Sequence, residues 1–165
     1  MIFAIDPGPE KSAWLVYDSG KIHKFGIDPN RVVRDIVQEF ALNSTSNNVV
    51  AIEQIRSYGK RVGNKTFDTC EWAGRFAQVA EDAMAQSFGA VKLIPRPDVK
   101  LIVCLNNTAR DSDVRDALVY RYGGESAVGT KKTPGPLYGI VKDLWAALAV
   151  AVAVEELSKR GKKHG

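Results

Sequence analysis

The sequence predicts one mixed α/β domain, and three observations support that fold class. Two short apolar runs, "IFAI" at 2–5 and "VVAI" at 49–52, show no polar alternation, and an acid follows each. Strands of this kind are covered on both faces and are usually parallel neighbours in a sheet. A stretch with helical spacing, 31–42, lies between them and permits the crossover that parallel strands need. At 165 residues the chain can bury a substantial core as one domain.

The other elements follow from local patterns. The tripeptide Asp18-Ser19-Gly20 is a hairpin turn signal between two apolar runs. Asn30 precedes the first helical stretch and is expected to cap it. The Gly-, Pro- and Lys-rich segment 123–140 is predicted to be a loop. The prediction is a mixed five-stranded sheet flanked by helices, with strands at 1–6, 12–17, 21–26, 49–52 and 91–95 and helices at 31–42, 67–87, 98–105, 111–122 and 143–159.

Composition narrows the class of protein. The chain is 45% apolar and 25% charged, with a net charge of +4, which suits a polyanionic partner without requiring one. Cys70 and Cys104 have neither metal-ligand spacing nor a disulfide pattern, so we expect reduced thiols. Residues 1–20 lack a secretory pattern, and the apolar stretch 144–154 is too short to span a bilayer. We expect a cytoplasmic protein that does not associate with membranes.

Three acids end or begin apolar elements. If the two apolar strands pair in parallel, Asp6 and Glu53 emerge at the edge of the sheet where α/β proteins bind ligands. Neighbouring carboxylates repel each other unless a cation lies between them, and Mg²⁺ prefers carboxylate oxygens. Asp143 opens the apolar final helix and could join them. Each acid also has a structural interpretation: a turn cap for Asp6, a buried ion pair for Glu53, and stabilisation of the helix dipole for Asp143.

The segments "AIDPG", "AIEQIRSYG" and "KDLWAALAVAVA", in this order, resemble RuvC-type Holliday junction resolvases of the RNase H-like superfamily. The segments "GNKTFDTCEWAGRF", "DSDVRDALVYRYG" and "GTKKTPGPLYGI" look most like the short RuvC-like endonucleases of bacteriophages. The resemblance covers essentially the whole chain. It implies one RNase H-like nuclease domain over 1–160, followed by a basic tail at 161–165.

The resemblance also implies a mechanism. Asp6, Glu53 and Asp143 match acids that hold two Mg²⁺ ions in such enzymes, and Mn²⁺ is expected to substitute. One ion generates the attacking hydroxide and the other stabilises the leaving 3′ oxygen, so paired nicks leave a 5′-phosphate and a 3′-hydroxyl. These enzymes are homodimers, because two symmetric nicks in one branched DNA need two active sites.

One position departs from the family pattern. RuvC enzymes carry a further Asp three residues after the last-helix ligand, and Ala146 stands there in this chain. Either this type of enzyme works without that acid, or the alanine inactivates the site and leaves a junction-binding protein. An RNase H acting on RNA–DNA hybrids is a further alternative, because it would use similar carboxylates.

Basic side chains follow the predicted metal ligands in sequence. Four-way junctions are recognised chiefly through shape and phosphate positions. Tyr58 could stack on bases in the junction, and the helix 67–87 carries an apolar stripe suited to a partner helix or to the protein's own sheet. Solvated loop charges are the alternative explanation for the basic residues. The predicted DNA-binding residues are Arg56, Tyr58, Lys60, Arg61, Lys65, Arg75, Lys131 and Lys132.

Overall fold

The computed structural model describes residues 1–57, 59, 61–87 and 89–162. The described chain forms a five-stranded sheet with α-helices on both faces, which confirms the predicted fold class and element order. The strands are β1 (Ile2–Asp6), β2 (Lys11–Asp18), β3 (Lys21–Pro29), β4 (Val49–Gln54) and β5 (Ala90–Pro95). The α-helices are α1 (Asn30–Leu42), α2 (Asn64–Met84), α3 (Arg96–Cys104), α4 (Asp111–Arg121) and α5 (Leu144–Lys162).

The sheet has the order β3-β2-β1-β4-β5. β1 pairs with β2 in antiparallel and with β4 in parallel, and β5 continues the parallel part. The parallel pairing of the two apolar runs was predicted, and the register places Ile5 opposite Ile52. Asp6 and Glu53 are therefore the next residues of neighbouring strands, at the same edge of the sheet.

Both faces of the central strands are buried, which explains why their sequences show no alternation. Phe3 and Ile5 point to the face covered by α1 and α2, whereas Ala4 points to the face covered by α5. Ala51 on β4 shares that second face with Ala4. The small side chains leave room for α5, which packs against β1, β2 and β4. The middle of α5, residues 147–154, is at most 1% exposed, so this helix is the centre of the second layer.

The apolar stripe of α2 packs within its own chain. Phe76 is fully buried, and Trp72 packs beside it with ring centroids 5.8 Å apart. α2 contacts α1, β4 and β5, which leaves its polar face to solvent. Of the two roles considered for this stripe, packing on the protein's own sheet is the one observed.

Helix boundaries differ from the prediction where the sequence signals are weak. α2 begins at Asn64 rather than 67. The prediction missed its first turn because that turn is largely polar and shows no apolar periodicity. α3 begins at Arg96 rather than 98, with Pro97 in its first turn, where the missing N–H costs no hydrogen bond. The predicted loop at 123–140 contains a short 3-10 helix at Glu125–Ala127.

The loop that precedes α5 contains a tight turn. Gly129 has a φ of +67°, and a Cβ there would lie 2.4 Å from the carbonyl oxygen of Thr133, so only glycine fits. The Thr130 N–H donates to the Thr133 carbonyl at 3.0 Å and closes the turn. Among the described residues, none of the helices has the length and hydropathy of a membrane-spanning segment.

Candidate active site

A cavity of about 340 Å³ lies at the carboxyl ends of β1 and β4. It brings together Asp6, Glu53 and Asp143, the three acids that the sequence predicted to meet. Helices α3, α4 and α5 and the residues directly before α5 supply the rest of the wall. The other lining residues are Arg96, Val99, Lys100, Asp111, Ser112, Val114, Arg115, Lys142, Trp145, Ala146 and Ala149.

A rigid turn carries the chain away from Asp6. The Asn30 side chain donates to the Gly8 carbonyl at 2.9 Å and accepts from the Ser12 hydroxyl at 2.6 Å. The Gly8 N–H in turn donates to Ser12 Oγ at 3.2 Å. A Cβ on Gly8 would lie 2.2 Å from the Lys11 carbonyl oxygen, so the turn requires glycine.

The prediction that Asn30 caps the first helix is wrong. The residue lies inside the first turn of α1, and its N-cap, Pro29, makes no side-chain capping bond. Asn30 is only 2% exposed, and its amide closes the turn after β1 instead of capping the helix. The sequence could not show this, because Ser12 and Gly8 reach Asn30 only when β2 and β3 have paired.

Glu53 lies in a buried ion pair. Its side chain is 5% exposed, and Arg96 Nη1 donates to Glu53 Oε1 at 2.6 Å. Arg96 Nη2 donates to Asp111 Oδ1 at 2.8 Å, so one guanidinium bridges two carboxylates. Lys100 also contacts Asp111, at 3.2 Å. The buried ion pair considered for Glu53 is thus present, and it lies within the predicted site.

Sequence reasoning missed Arg96, Lys100 and Asp111. Arg96 directly follows β5, a parallel strand that ends at the same edge as β1 and β4. The positional argument that selected Asp6 and Glu53 therefore applied equally to Arg96. Asp111 carried no such signal, because the fold of the α3–α4 corner alone brings it back to Arg96.

The acids perturb one another electrostatically. Burial raises the pKa of Asp6 well above its usual value, and the negative charges of Glu53 and Asp143 raise it further against the opposing effect of Arg96. Burial also raises the pKa of Glu53, and Arg96 offsets this only in part. Burial opposes the ionisation of Asp111 too, but Arg96 and Lys100 outweigh it and hold its pKa below the usual value. The site is therefore deficient in positive charge around Asp6.

Asp143 stands at the start of α5, one residue before the helix proper. Its carbonyl accepts from the N–H groups of Ala146 and Ala147 at 3.0 and 3.1 Å. The preceding residue, Lys142, has a φ of +51°, a conformation that costs a non-glycine residue energy and is concentrated at functional sites. Ala146, the position where the resembled family carries an acid, lines the same cavity as Asp143.

Lys142 differs from the other cations of the cavity wall. Arg96 and Lys100 pair with carboxylates, and Arg115 pairs with Glu125 at 3.2 Å while lying 5.4 Å from the Trp145 ring centroid. Among the described residues, Lys142 is the cavity-lining cation with no ion pair or hydrogen bond to its side chain. It is exposed and therefore available to an anionic ligand.

The donor chemistry of the site fits a hard divalent cation. The three predicted ligands all offer carboxylate oxygens, the donors that Mg²⁺ prefers, and both burial and the charges of the other two acids raise the pKa of Asp6. Within the described part of the chain, however, no three His, Cys, Asp or Glu side chains are grouped as a formed metal site. Instead, the Arg96 guanidinium donates a hydrogen bond to one carboxylate oxygen of Glu53.

The predicted DNA-binding residues lie in three places. Tyr58 and Lys60 fall outside the described residues. Arg75 is exposed on α2, pairs with Glu71 and lies 4.7 Å from the Trp72 ring centroid. Two others lie in the segment that follows β4, one lies in the first turn of α2, and two lie in the turn closed by Thr130 and Thr133. These five exposed residues are Arg56, Arg61, Lys65, Lys131 and Lys132.

No protein-family profile and no curated protein sequence matches the chain. Solved structures do match. Thermus thermophilus RuvC superimposes with a TM-score of 0.59 over 97% of this chain and 96% of its own, at 15% sequence identity. T. thermophilus RuvC in complex with a Holliday junction substrate gives a TM-score of 0.59 over 97% and 95%, at 18% identity. The fold is that of RuvC.

The RuvC fold is RNase H-like, as the sequence resemblance implied. The match extends through nearly the whole chain, which includes the central strands and the start of the last helix, where the three acids lie. These bacterial structures do not bear on the predicted likeness to phage enzymes.

Proposed function

We propose that this protein is a metal-dependent endonuclease that resolves Holliday junctions and other branched DNA. The observation that carries the proposal is the convergence of Asp6, Glu53 and Asp143 on one cavity of a RuvC fold. These are the residues that the motif resemblance assigned to metal binding. The RuvC structure solved with a Holliday junction supports the choice of substrate.

In the proposed enzyme Asp6, Glu53 and Asp143 hold Mg²⁺, with Mn²⁺ able to substitute and two ions per site. The ions would supply an activated water and stabilise the charge that develops on the leaving oxygen. The turn at Gly8 fixes the backbone that carries Asp6, and the N-terminus of α5 fixes Asp143. Residues on rigid elements hold such ligands more accurately than mobile loops do.

The proposed DNA path starts at the cavity mouth. Lys142 is the cation best placed to bind a phosphate there, because it is exposed and unpaired beside Asp143. The basic residues after β4 and the Lys131–Lys132 turn would contact phosphates further out.

We also propose a homodimer, since paired nicks need two sites. Phe76 in the stripe of α2 is fully buried within the chain, so a dimer contact through α2 would use its exposed residues.

Ala146 keeps a second candidate function open. Because this residue lines the cavity, an acid here would face the metal ligands, and its absence could leave a protein that binds junctions without cutting them. Asp111 does not obviously replace the acid, because Arg96 and Lys100 already engage it.

Cleavage of a synthetic four-way junction tests these alternatives. The purified protein is assayed with Mg²⁺, Mn²⁺ or EDTA on junction, flap, duplex and RNA–DNA hybrid substrates, beside Asp6→Asn and Asp143→Asn. Paired metal-dependent nicks in the junction, lost in both variants, are the expected result. Junction binding without cleavage, with activity gained in Ala146→Asp, would support the binding protein. Preferential cutting of the hybrid would indicate an RNase H.

A further inference from the structure

The guanidinium of Arg96 occupies a place that a metal ion would need. It donates to Glu53 at 2.6 Å and to Asp111 at 2.8 Å, and Glu53 is otherwise buried. A buried carboxylate requires a compensating cation, and Arg96 is the cation that meets Glu53 in the described structure. The same oxygen cannot bind this arginine and a metal ion in the same direction.

The two ends of this bridge differ in their surroundings. The Glu53 side chain is 5% exposed, whereas the Asp111 side chain is 74% exposed and is also held by Lys100. Arg96 can therefore leave Glu53 and remain attached to Asp111 at the cavity wall. The forked geometry of arginine allows this, because each carboxylate binds a different nitrogen.

We propose that Arg96 is a positioning residue that stands in for the metal: it neutralises Glu53 in the metal-free protein and is displaced to Asp111 when a divalent ion binds. The proposal rests on the proposed function, because it assumes that Glu53 is a metal ligand. Its consequence is that metal affinity in the absence of DNA is lowered by competition with Arg96. Arg96 thus reduces the repulsion between Glu53 and the neighbouring carboxylates before metal arrives.

Mn²⁺ binding to the DNA-free full-length protein tests this directly, by calorimetry and by the electron paramagnetic resonance signal of free Mn²⁺. We expect Arg96→Met to bind Mn²⁺ about tenfold more tightly than the original protein, the change that ~1.4 kcal/mol produces. Arg96→Lys should lie between them, because one ammonium group cannot bridge both carboxylates. Unchanged or weaker binding in both variants would overturn the proposal and make Arg96 a residue that orients Glu53 for the metal.

Arg121→Met is the matched control. Arg121 also bridges two carboxylates, Glu155 and Glu156, but on the part of α5 remote from Asp143 in sequence. It should leave Mn²⁺ affinity unchanged, whereas a general effect of lost positive charge would raise it as Arg96→Met does and so contradict the proposal. If Arg96→Met does not fold, Arg96→Lys against the original protein decides the question.

A second comparison tests the part assigned to Asp111. Asp111→Asn should weaken Mn²⁺ binding in the original background, since displaced Arg96 loses its anionic partner, and have a much smaller effect in Arg96→Met. Equal effects in both backgrounds would overturn this part. If no variant binds Mn²⁺, the proposed metal site fails as well. Tighter binding by Arg96→Met without junction cleavage by the original protein would uphold this inference while the proposed function fails.

Discussion

At the scale of single residues, the site places carboxylates where they are costly. Asp6 is the last residue of a buried strand and faces two further acids, and both burial and repulsion raise its pKa. Arg96 relieves Glu53 more than it relieves Asp6, since its hydrogen bond goes to Glu53. Such a charge lowers the stability of the metal-free folded protein, at a place where a cation is expected to bind.

Asp6→Asn should therefore stabilise the metal-free protein at neutral pH. The pKa of Asp6 is higher in the folded than in the unfolded state, so the stability supplied by its proton is present below the unfolded value of about 4 and is lost as pH rises through the folded value. Asn removes this loss. We expect its melting temperature in EDTA to exceed that of the original protein by ~2–4 °C per kcal/mol recovered at pH 7, and by little at pH 4.

Asp82→Asn is the control for this experiment, because Asp82 lies on the exposed face of α2. Its melting temperature should follow that of the original protein at both pH values. Mg²⁺ should stabilise the original protein more than Asp6→Asn. Equal melting temperatures for Asp6→Asn and the original protein at pH 7 would show that Asp6 carries no destabilising charge.

At the scale of elements, the turn between β1 and β2 connects stability to the site. Asn30 begins α1 yet bonds across to Ser12 and Gly8, so one side chain ties a helix to the turn that follows Asp6. The element that bears the candidate ligand is thereby fixed from two sides.

Asn30→Ala should destabilise the protein by about 1–3 kcal/mol, the cost of leaving buried polar partners unpaired. We also expect weaker junction cleavage, because the backbone beyond Asp6 loses its support. Urea unfolding and the cleavage assay measure the two effects. Asn43→Ala is the matched control at the other end of α1: Asn43 is exposed and donates to the Glu39 carbonyl, so its loss should cost at most a few tenths of a kcal/mol. Equal stabilities for the two variants would contradict the role given to Asn30.

At the scale of the whole molecule, the charge distribution determines how DNA would approach. The net charge of +4 is modest, but exposed basic residues follow Glu53 and precede Asp143 in the sequence. Such an arrangement favours phosphate binding around a site that itself repels phosphate until cations fill it.

Lys131→Ala combined with Lys132→Ala should weaken junction binding and reduce the slope of log affinity against log salt by up to about 2, because each phosphate contact contributes about 0.9. Affinity is measured by fluorescence anisotropy over a salt series. Lys21→Ala with Lys24→Ala is a charge-matched control on β3, whose Lys21 lies at the hairpin turn opposite the cavity edge of the sheet. Identical slopes for both double variants would remove the Lys131–Lys132 turn from the DNA path.

Much of the fold could be predicted because its signals are local or depend on burial alone. The absence of alternation in "IFAI" and "VVAI" predicted strands covered on both faces, and the structure buries both sides of them. Ser19 and Gly20 both have positive φ, as expected for the hairpin turn that their sequence indicated. The meeting of Asp6 and Glu53 followed from strand direction, so it needed no knowledge of side-chain contacts.

The sequence by itself thus determined the layers of the molecule and the edge of the sheet where its acids lie. Only the tertiary structure decided which charges those acids meet. Arg96 and Asp111 are 15 positions apart and belong to different helices, and their bridge to Glu53 exists only because the α3–α4 corner folds back on the sheet. Periodicity and strand direction are written along the chain, whereas ion pairs between separate elements depend on distances that only packing sets.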